Sequence, residues 1–208
     1  MFTTGFSMNA LANAEAPGGP TEQWMQSIAV RLDCAVTGSI AVNADNGVYN
    51  RMLFVTPESV HHYDKRHLFS YGGEDQRYSA GRQRVTTRLG EWRINLQVCY
   101  DLRFPAWCRN RGDYDLLLYV ANWPASRRLH WRQLLVARAI ENQCWVVGVN
   151  RVGEGGGLAF TGGTAIIDQL GQIVAHGGQT AGLVTAVVDA DRVATVRRDF
   201  PLLGDRRF

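Results

Sequence analysis

The central part of the chain contains two short apolar segments separated by one long amphipathic segment. Residues 115–122, DLLLYVAN, and residues 144–150, CWVVGVN, each hold a continuous apolar run, typical of a strand buried on both faces. Residues 127–143, RRLHWRQLLVARAIENQ, lie between them, and their spacing of apolar residues predicts a helix. The side chains predicted to form its core-facing side are Leu129, Leu134, Leu135, Ala139 and Ile140. This order of segments favours the α/β class.

The flanking segments add strands, two pairs of which read as hairpins. AVTGSIAV and VYNRMLFV lie on either side of the turn-rich NADNG, and RVTTRL and WRINLQV lie on either side of Gly90 and Glu91. Further strands are predicted at VHHYDK, TAIID, QIVAH and LVTAVVD, and helices at TEQWMQSIAVRL, with Thr21 as N-cap, and FPAWCRNRG. Strands outnumber helices, and continuous apolar runs occur beside alternating ones. We therefore expect one domain over residues 1–208, built as an α/β layered sandwich with helices outside two sheets.

Composition excludes several classes of function. The formal net charge is +3 without a run of like charges, so nucleic acid is not an expected partner. The sequence contains neither an apolar stretch of membrane-spanning length nor a secretory signal, and a cytoplasmic location is expected. The four cysteines form no CxxC pair, and no zinc spacing is present, so neither a metal nor a redox motif is indicated. We expect structural thiols at Cys34, Cys108 and Cys144.

Cys99 differs from the other cysteines because it follows a predicted strand and precedes a short helix. Such a turn can direct the backbone N–H of Tyr100 toward a developing oxyanion, which suits a nucleophilic thiol. Position alone leaves a buried structural thiol as the alternative. His130 is the obvious partner for a Cys–His dyad, but its place in the first turns of the amphipathic helix argues against that role.

Two motifs resemble the nitrilase, or carbon-nitrogen hydrolase, superfamily: YDKRHLF within residues 63–81, and CYDLRFP at residues 99–105. YVANWPASRRLHW, ARAIENQ, NRVG and FTGGTAIIDQLG continue in the family's order, so the resemblance covers essentially the whole chain. It implies that Cys99 is acylated by an amide or nitrile and that Lys65 stabilises the tetrahedral intermediate. Within the superfamily the motifs are most similar to those of omega-amidases. This resemblance implies an αββα sandwich, often a homodimer, without a cofactor.

The same resemblance implies further site residues. Glu74 would be a supporting acid in the loop after the lysine, Arg103 would bind the free carboxylate of a small amide substrate, and Trp123 and Phe6 would line the pocket. Other interpretations stay open for each residue type. A lone lysine or glutamate is more often a solvated loop charge, Arg103 could be part of a structural ion pair, and Trp123 could belong to a core or an interface. Glu141 reads as a structural acid.

The start of the sequence, MFTTGFSMNA, resembles the stretch that directly follows the family's base glutamate. That base, and the strand, helix and strand that normally precede it, are therefore expected ahead of Met1, and Glu15 and Glu22 lie beyond the motif. A chain that begins at Met1 is expected to be nearly inactive, since loss of a general base costs about two to four orders of magnitude in rate. Two hypotheses follow: an omega-amidase-like hydrolase of 2-oxoglutaramate or 2-oxosuccinamate, or a catalytically silent module of the same fold that binds or dimerises.

Overall fold

The computed structural model of this protein describes residues 1–44 and 46–207. The chain divides after Val85 into two compact units, Met1–Val85 and Thr86–Phe208. The predicted turn NADNG includes Asp45, which lies outside the described residues.

The first unit contains a three-stranded antiparallel sheet in the order β1-β2-β3. Its helices and strands are α1 (Ala10–Asn13), α2 (Pro20–Leu32), β1 (Val36–Ala44), β2 (Gly47–Val55) and β3 (Val60–Asp64). The apolar side of α2 packs on the sheet through Met25 and Ala29, which contact Ile40 and Leu53. The predicted β1–β2 hairpin and the third strand are confirmed.

Helix α2 begins at Pro20, and its N-cap is Gly19, two residues before the predicted N-cap Thr21. Thr21 instead binds Glu15, which accepts the Thr21 backbone N–H at 2.8 Å and also its hydroxyl. The carboxylate of Glu15 thus satisfies an amide in the first turn of the helix, where negative charge is favourable. This contact gives Glu15 a structural role.

The second unit is built on a six-stranded sheet in the order β11-β10-β7-β6-β5-β4, beside a separate β8-β9 hairpin. The strands are β4 (Thr86–Leu89), β5 (Trp92–Val98), β6 (Leu116–Ala121), β7 (Trp145–Asn150), β8 (Val152–Gly155), β9 (Leu158–Thr161), β10 (Ala165–Ile167) and β11 (Ile173–His176). The helices are α3 (Pro105–Cys108), α4 (Arg128–Asn142) and α5 (Ala190–Asp199). The predicted strand, helix and strand over residues 115–150 are confirmed.

Strands β5, β6 and β7 are parallel, and their carboxyl ends therefore lie at one edge of the sheet. Val98 is in register with Val120, and Ala121 with Asn150. The segments that follow these strands start at the same edge, which is where ligands bind in open α/β sheets. Cys99 is the first residue beyond β5.

The buried side of α4 agrees with the predicted one at Leu134, Leu135 and Ala139 but not at its two ends. Leu129 and Ile140 were expected in the core, but they are 62% and 47% exposed. The buried residues of α4 are Trp131, Leu135, Arg138, Ala139 and Asn142. The buried side of the helix also includes the polar Arg138 and Asn142, and each of them has a hydrogen-bond partner there.

LVTAVVD, residues 183–189, was predicted as a strand, and this prediction is wrong. The segment lies outside the assigned strands, and Leu183 and Val187 are 97% and 91% exposed. Half-buried and exposed residues still alternate along it. Within the described chain no neighbouring strand pairs with the segment, and a strand requires such a ladder.

Candidate active site

Lys65 and Glu74 form a buried ion pair in the first unit. Lys65 directly follows β3, and its backbone N–H donates to the carbonyl of Asn50 at 3.0 Å. The ammonium Nζ lies 2.5 Å from Oε2 of Glu74, and the two side chains are 1% and 0% exposed. The alternative of two solvated loop charges is therefore excluded. A buried ion pair is costly to assemble, which makes it a candidate functional element.

Two further donors fix the carboxylate of Glu74. The backbone N–H of Phe69 donates to Oε2 at 2.7 Å, and Nδ2 of Asn50 donates to Oε1 at 3.0 Å. Glu74 begins a short 3-10 helix, Glu74–Gln76, which turns its side chain back toward the loop. Both carboxylate oxygens are thus occupied and the side chain has one orientation. Phe6, expected to line the pocket, lies with its ring centroid 5.6 Å from the Lys65 ammonium.

Sequence reasoning missed Asn50. It occupies the same face of β2 as the buried Met52 and Phe54, so the period-two pattern already placed a polar residue among inward-facing positions. That pattern was the available signal. The amide oxygen Oδ1 of Asn50 is buried without a hydrogen-bond partner in the described chain.

In the second unit, Cys99 has an unusual backbone conformation. Its φ angle is 46°, in the left-handed region, which costs about 1–3 kcal/mol for a residue other than glycine. The turn Cys99–Arg103 forms a 3-10 helix, and the carboxylate of Asp101 accepts the N–H of Val98 at 3.1 Å. The thiol is half-buried. A strained turn that presents a partly accessible thiol at the end of a parallel strand is consistent with the predicted nucleophile.

A side chain of helix α4 is hydrogen-bonded to the turn Cys99–Arg103. Arg138 is buried and donates to the carbonyl of Leu102 at 2.6 Å and to Oε1 of Glu141 at 2.8 Å. Glu141 also lies 4.0 Å from Arg109. These contacts give Glu141 the structural position that its sequence context indicated.

Trp123 follows β6 at the carboxyl edge and is buried. The side chain of Asn150, at the end of β7, accepts the N–H of Trp123 at 2.7 Å and donates to its carbonyl at 3.0 Å. The indole N–H donates to the carbonyl of Arg127 at 2.8 Å. Trp123 is therefore held rigidly, by an asparagine that sequence reasoning did not single out.

Arg103 lies against aromatic rings. Its guanidinium carbon is 4.8 Å from the ring centroid of Trp123 and 6.0 Å from that of Tyr100. One terminal nitrogen, Nη2, lies 3.0 Å from Nδ1 of His130. Among the described residues no carboxylate pairs with Arg103, so the structural ion pair considered for it is not present there.

Two of the other cysteines behave as structural thiols. Cys108 and Cys144 are fully buried, and burial raises the pKa of both thiols, that of Cys108 to about 12. The sulfur of Cys108 accepts the hydroxyl of Tyr119 at 3.0 Å. Neither thiol is suited to nucleophilic attack at neutral pH. Over residues 1–44 and 46–207, no group of three His, Cys, Asp or Glu residues could hold a metal ion.

The family model for carbon-nitrogen hydrolases matches residues 1–198. The omega-amidase YafV of Yersinia enterocolitica is 48% identical over 209 residues, which cover 99% of this chain and 81% of that protein. The omega-amidase YafV of Escherichia coli K12 is 45% identical, with coverages of 99% and 81%. The 2-oxoglutaramate amidase of Bacillus subtilis is 35% identical, with coverages of 100% and 82%.

Solved structures are similar as well. XC1258 from Xanthomonas campestris, a CN-hydrolase superfamily protein with an arsenic adduct in its active site, superposes with a TM-score of 0.96 at 46% identity, covering 100% of this chain and 82% of that one. Saccharomyces cerevisiae Nit3, of the nitrilase superfamily, superposes with a TM-score of 0.87 at 22% identity, with coverages of 98% and 79%, and bears on the fold alone. The fold class expected from the sequence is confirmed. No helix in the described ranges has the length and apolarity to cross a bilayer.

Proposed function

Because the chain belongs to the carbon-nitrogen hydrolase family, we propose that it hydrolyses the terminal amide of a small dicarboxylic acid monoamide, such as 2-oxoglutaramate or 2-oxosuccinamate. The names of the omega-amidase and 2-oxoglutaramate amidase relatives support this substrate class. The observation that carries the proposal is Arg103, which ends the short helix begun by Cys99 and has no carboxylate partner among the described residues. A planar cation in that position suits the free carboxylate of a monoamide.

In the proposed reaction, the thiolate of Cys99 attacks the carbonyl carbon of the amide, and negative charge develops on the carbonyl oxygen. Collapse of the tetrahedral intermediate breaks the C–N bond, and the nitrogen takes up the proton that the thiol gave up when it became a thiolate and leaves as ammonia. A thioester on Cys99 remains. Water then attacks the thioester, which releases the dicarboxylic acid and restores the thiol.

The remaining site residues have supporting roles in this proposal. The backbone N–H of Tyr100 and the ammonium of Lys65 would donate to the oxyanion, and Glu74 would hold that ammonium in one position. The threefold hydrogen bonding of Glu74 supports a fixed rather than a mobile carboxylate. Trp123 would form an aromatic wall under the substrate. No glutamate of residues 1–208 is assigned as the general base in this proposal.

The second hypothesis from the sequence, a catalytically silent binding or dimerisation module, receives no support from the relatives, whose names are those of amidases. The homodimer stays a prediction from the resemblance, and the cytoplasmic location stays a prediction from the sequence. Light scattering on the purified protein and cell fractionation would test these two points.

Ammonia release from 2-oxoglutaramate tests the proposed function, measured with the protein as its gene encodes it. We expect turnover by the wild-type protein and none by Cys99→Ala with an unchanged circular dichroism spectrum. Cys34→Ala, which removes the other half-buried thiol, is the matched control and should retain full activity. Undiminished turnover by Cys99→Ala would refute the assignment of the nucleophile, and absence of turnover with any dicarboxylic acid monoamide would refute the substrate class.

A further inference from the structure

His130 is a titratable residue that the sequence singled out and that the proposed reaction does not use. It is the third residue of α4, and its ring nitrogen Nδ1 lies 3.0 Å from Nη2 of Arg103. A guanidinium carries donors only, so Nδ1 must act as the acceptor, and the proton of the neutral imidazole is then on Nε2. The contact therefore requires one particular form of this histidine.

The chemistry of this partner matters as much as its position. A carboxylate at residue 130 would pair with Arg103 and occupy the cation that an anionic substrate needs. A neutral imidazole accepts one N–H and leaves the positive charge uncompensated. Arg103 has five N–H donors in a planar fork, and donating one to His130 leaves others for a two-point contact with a carboxylate.

The surroundings restrict both partners. The rings of Trp123 and Tyr100 limit the plane of the Arg103 guanidinium, and the bond to His130 fixes its rotation within that plane. His130 in turn precedes the buried Trp131, whose ring lies 5.4 Å from that of Trp123 between centroids, with the planes tilted by 45°. The indole N–H of Trp131 donates to the carbonyl of Gly163 at 2.8 Å. The start of α4 is thereby anchored next to the guanidinium.

We propose that His130 is a positioning residue that sets the preference for acidic amides by holding the guanidinium of Arg103 through Nδ1. This inference rests on the proposed function, because it concerns the same carboxylate subsite. An arginine side chain that is free to rotate loses several rotatable bonds of freedom when it binds an anion, whereas one already held loses fewer. His130 thus improves binding of the substrate carboxylate without touching the reacting atoms.

The test compares two amides that differ only at the far end, glutaramate and pentanamide, in which a methyl group replaces the carboxylate. We expect His130→Ala to raise KM for glutaramate about tenfold, since one hydrogen bond to a charged group is lost, and to change KM for pentanamide less than about twofold. His130→Asn can place an amide oxygen near the position of Nδ1 and should keep the glutaramate KM within about twofold of wild type. Leu129→Ala, at the exposed neighbouring position, is the matched control and should change neither value.

A double-mutant cycle separates an effect through Arg103 from a general structural effect. If His130 acts through the guanidinium, adding His130→Ala to Arg103→Ala leaves the glutaramate KM as Arg103→Ala alone has it. Additive effects in the cycle, equal changes for both amides, or failure of His130→Asn to restore KM would each overturn the inference.

Binding of glutarate, followed by tryptophan fluorescence, gives a readout that does not need turnover. We expect glutarate to bind wild type and His130→Asn alike, and His130→Ala about tenfold more weakly. If this pattern holds while no amide is hydrolysed, the proposed reaction fails and the carboxylate subsite stands. If acidic amides are hydrolysed but His130→Ala changes neither glutarate binding nor the KM for glutaramate, the inference fails and the proposed function stands. If wild type neither binds glutarate nor hydrolyses acidic amides, both are wrong.

Discussion

Replacing one partner of the buried Lys65–Glu74 pair should destabilise the protein far more than replacing both. The side chains are 1% and 0% exposed, and Oε2 of Glu74 lies 2.5 Å from the ammonium. In Glu74→Gln the charge is lost and a single acceptor oxygen faces three donors, from Lys65, Asn50 and Phe69. At least one donor then loses its partner, and the ammonium is left buried without a counter-charge.

The distance sets the size of the effect. With an effective dielectric constant of about 20, two unit charges 2.5 Å apart attract by about 7 kcal/mol. Desolvation of the two ions offsets much of this attraction. When only one ion is replaced, the other stays buried without its partner, so the single substitutions should each cost about 3–5 kcal/mol. That is a large fraction of the roughly 5–15 kcal/mol that stabilises a typical domain. The double variant Lys65→Met/Glu74→Gln buries no charge and should be at least about 2 kcal/mol more stable than the sum of the single effects predicts.

Urea unfolding at neutral pH, followed by circular dichroism, measures these free energies. Arg198→Ala removes an exposed ion pair with Asp199 and serves as the control, with an expected change below about 1 kcal/mol. Strictly additive single effects in the double variant, or single effects as small as that of the control, would refute the description of Lys65 and Glu74 as a desolvated pair.

Two further predictions follow from the second unit. Iodoacetamide at neutral pH should modify Cys99 in the native protein and leave Cys108 intact, because burial shields that thiol and raises its pKa to about 12; peptide mass mapping reports the sites, and labelling of Cys108 ahead of Cys99 would contradict the prediction. Asp115→Asn should cost about 2 kcal/mol of unfolding free energy at pH 7, since hydrogen bonds from Arg93 and Arg197 hold that carboxylate. Burial raises the pKa of Asp115, but the hydrogen bonds and charges of the two guanidiniums together lower it by more, so the net shift is downward. A carboxyl group with a lowered pKa contributes its full stability above its unfolded pKa near about 4 and loses that contribution as the pH falls through its folded pKa, so the cost should be smaller at a pH of about 2. An equal cost at both pH values in urea unfolding would show that the charge is not responsible.

Most of the strands, although not β8 and β9, were predictable because their signals are local. Each hairpin joins segments a few residues apart, and the continuous apolar runs of β6 and β7 are what a strand buried on both faces requires. The segment 183–189 has the same local signal and still forms no strand, since strand formation also depends on a partner that local sequence cannot specify.

The orientation of α4 shows a different limit. Its apolar positions predicted a core-facing side that includes Leu129 and Ile140, yet Arg138 and Asn142 are buried instead. Their hydrogen bonds to the Leu102 carbonyl and to the N–H of Asn110 come from segments 30 residues or more away in sequence. A polar side chain can face inward when such a partner exists, and helical periodicity carries no information about it.

By itself the sequence indicated the family, most of the strands and helices, and candidate residues whose chemistry suits amide hydrolysis, because motifs and periodicity depend on residue type and spacing alone. Tertiary structure alone decided that Lys65 and Glu74 are buried together, that Asn50 orients the carboxylate, and that His130 faces Arg103. These features depend on distances between side chains that lie 9 to 27 residues apart in sequence. Such distances arise only when the backbone brings separate segments together, and burial then decides which of the resulting contacts are strong.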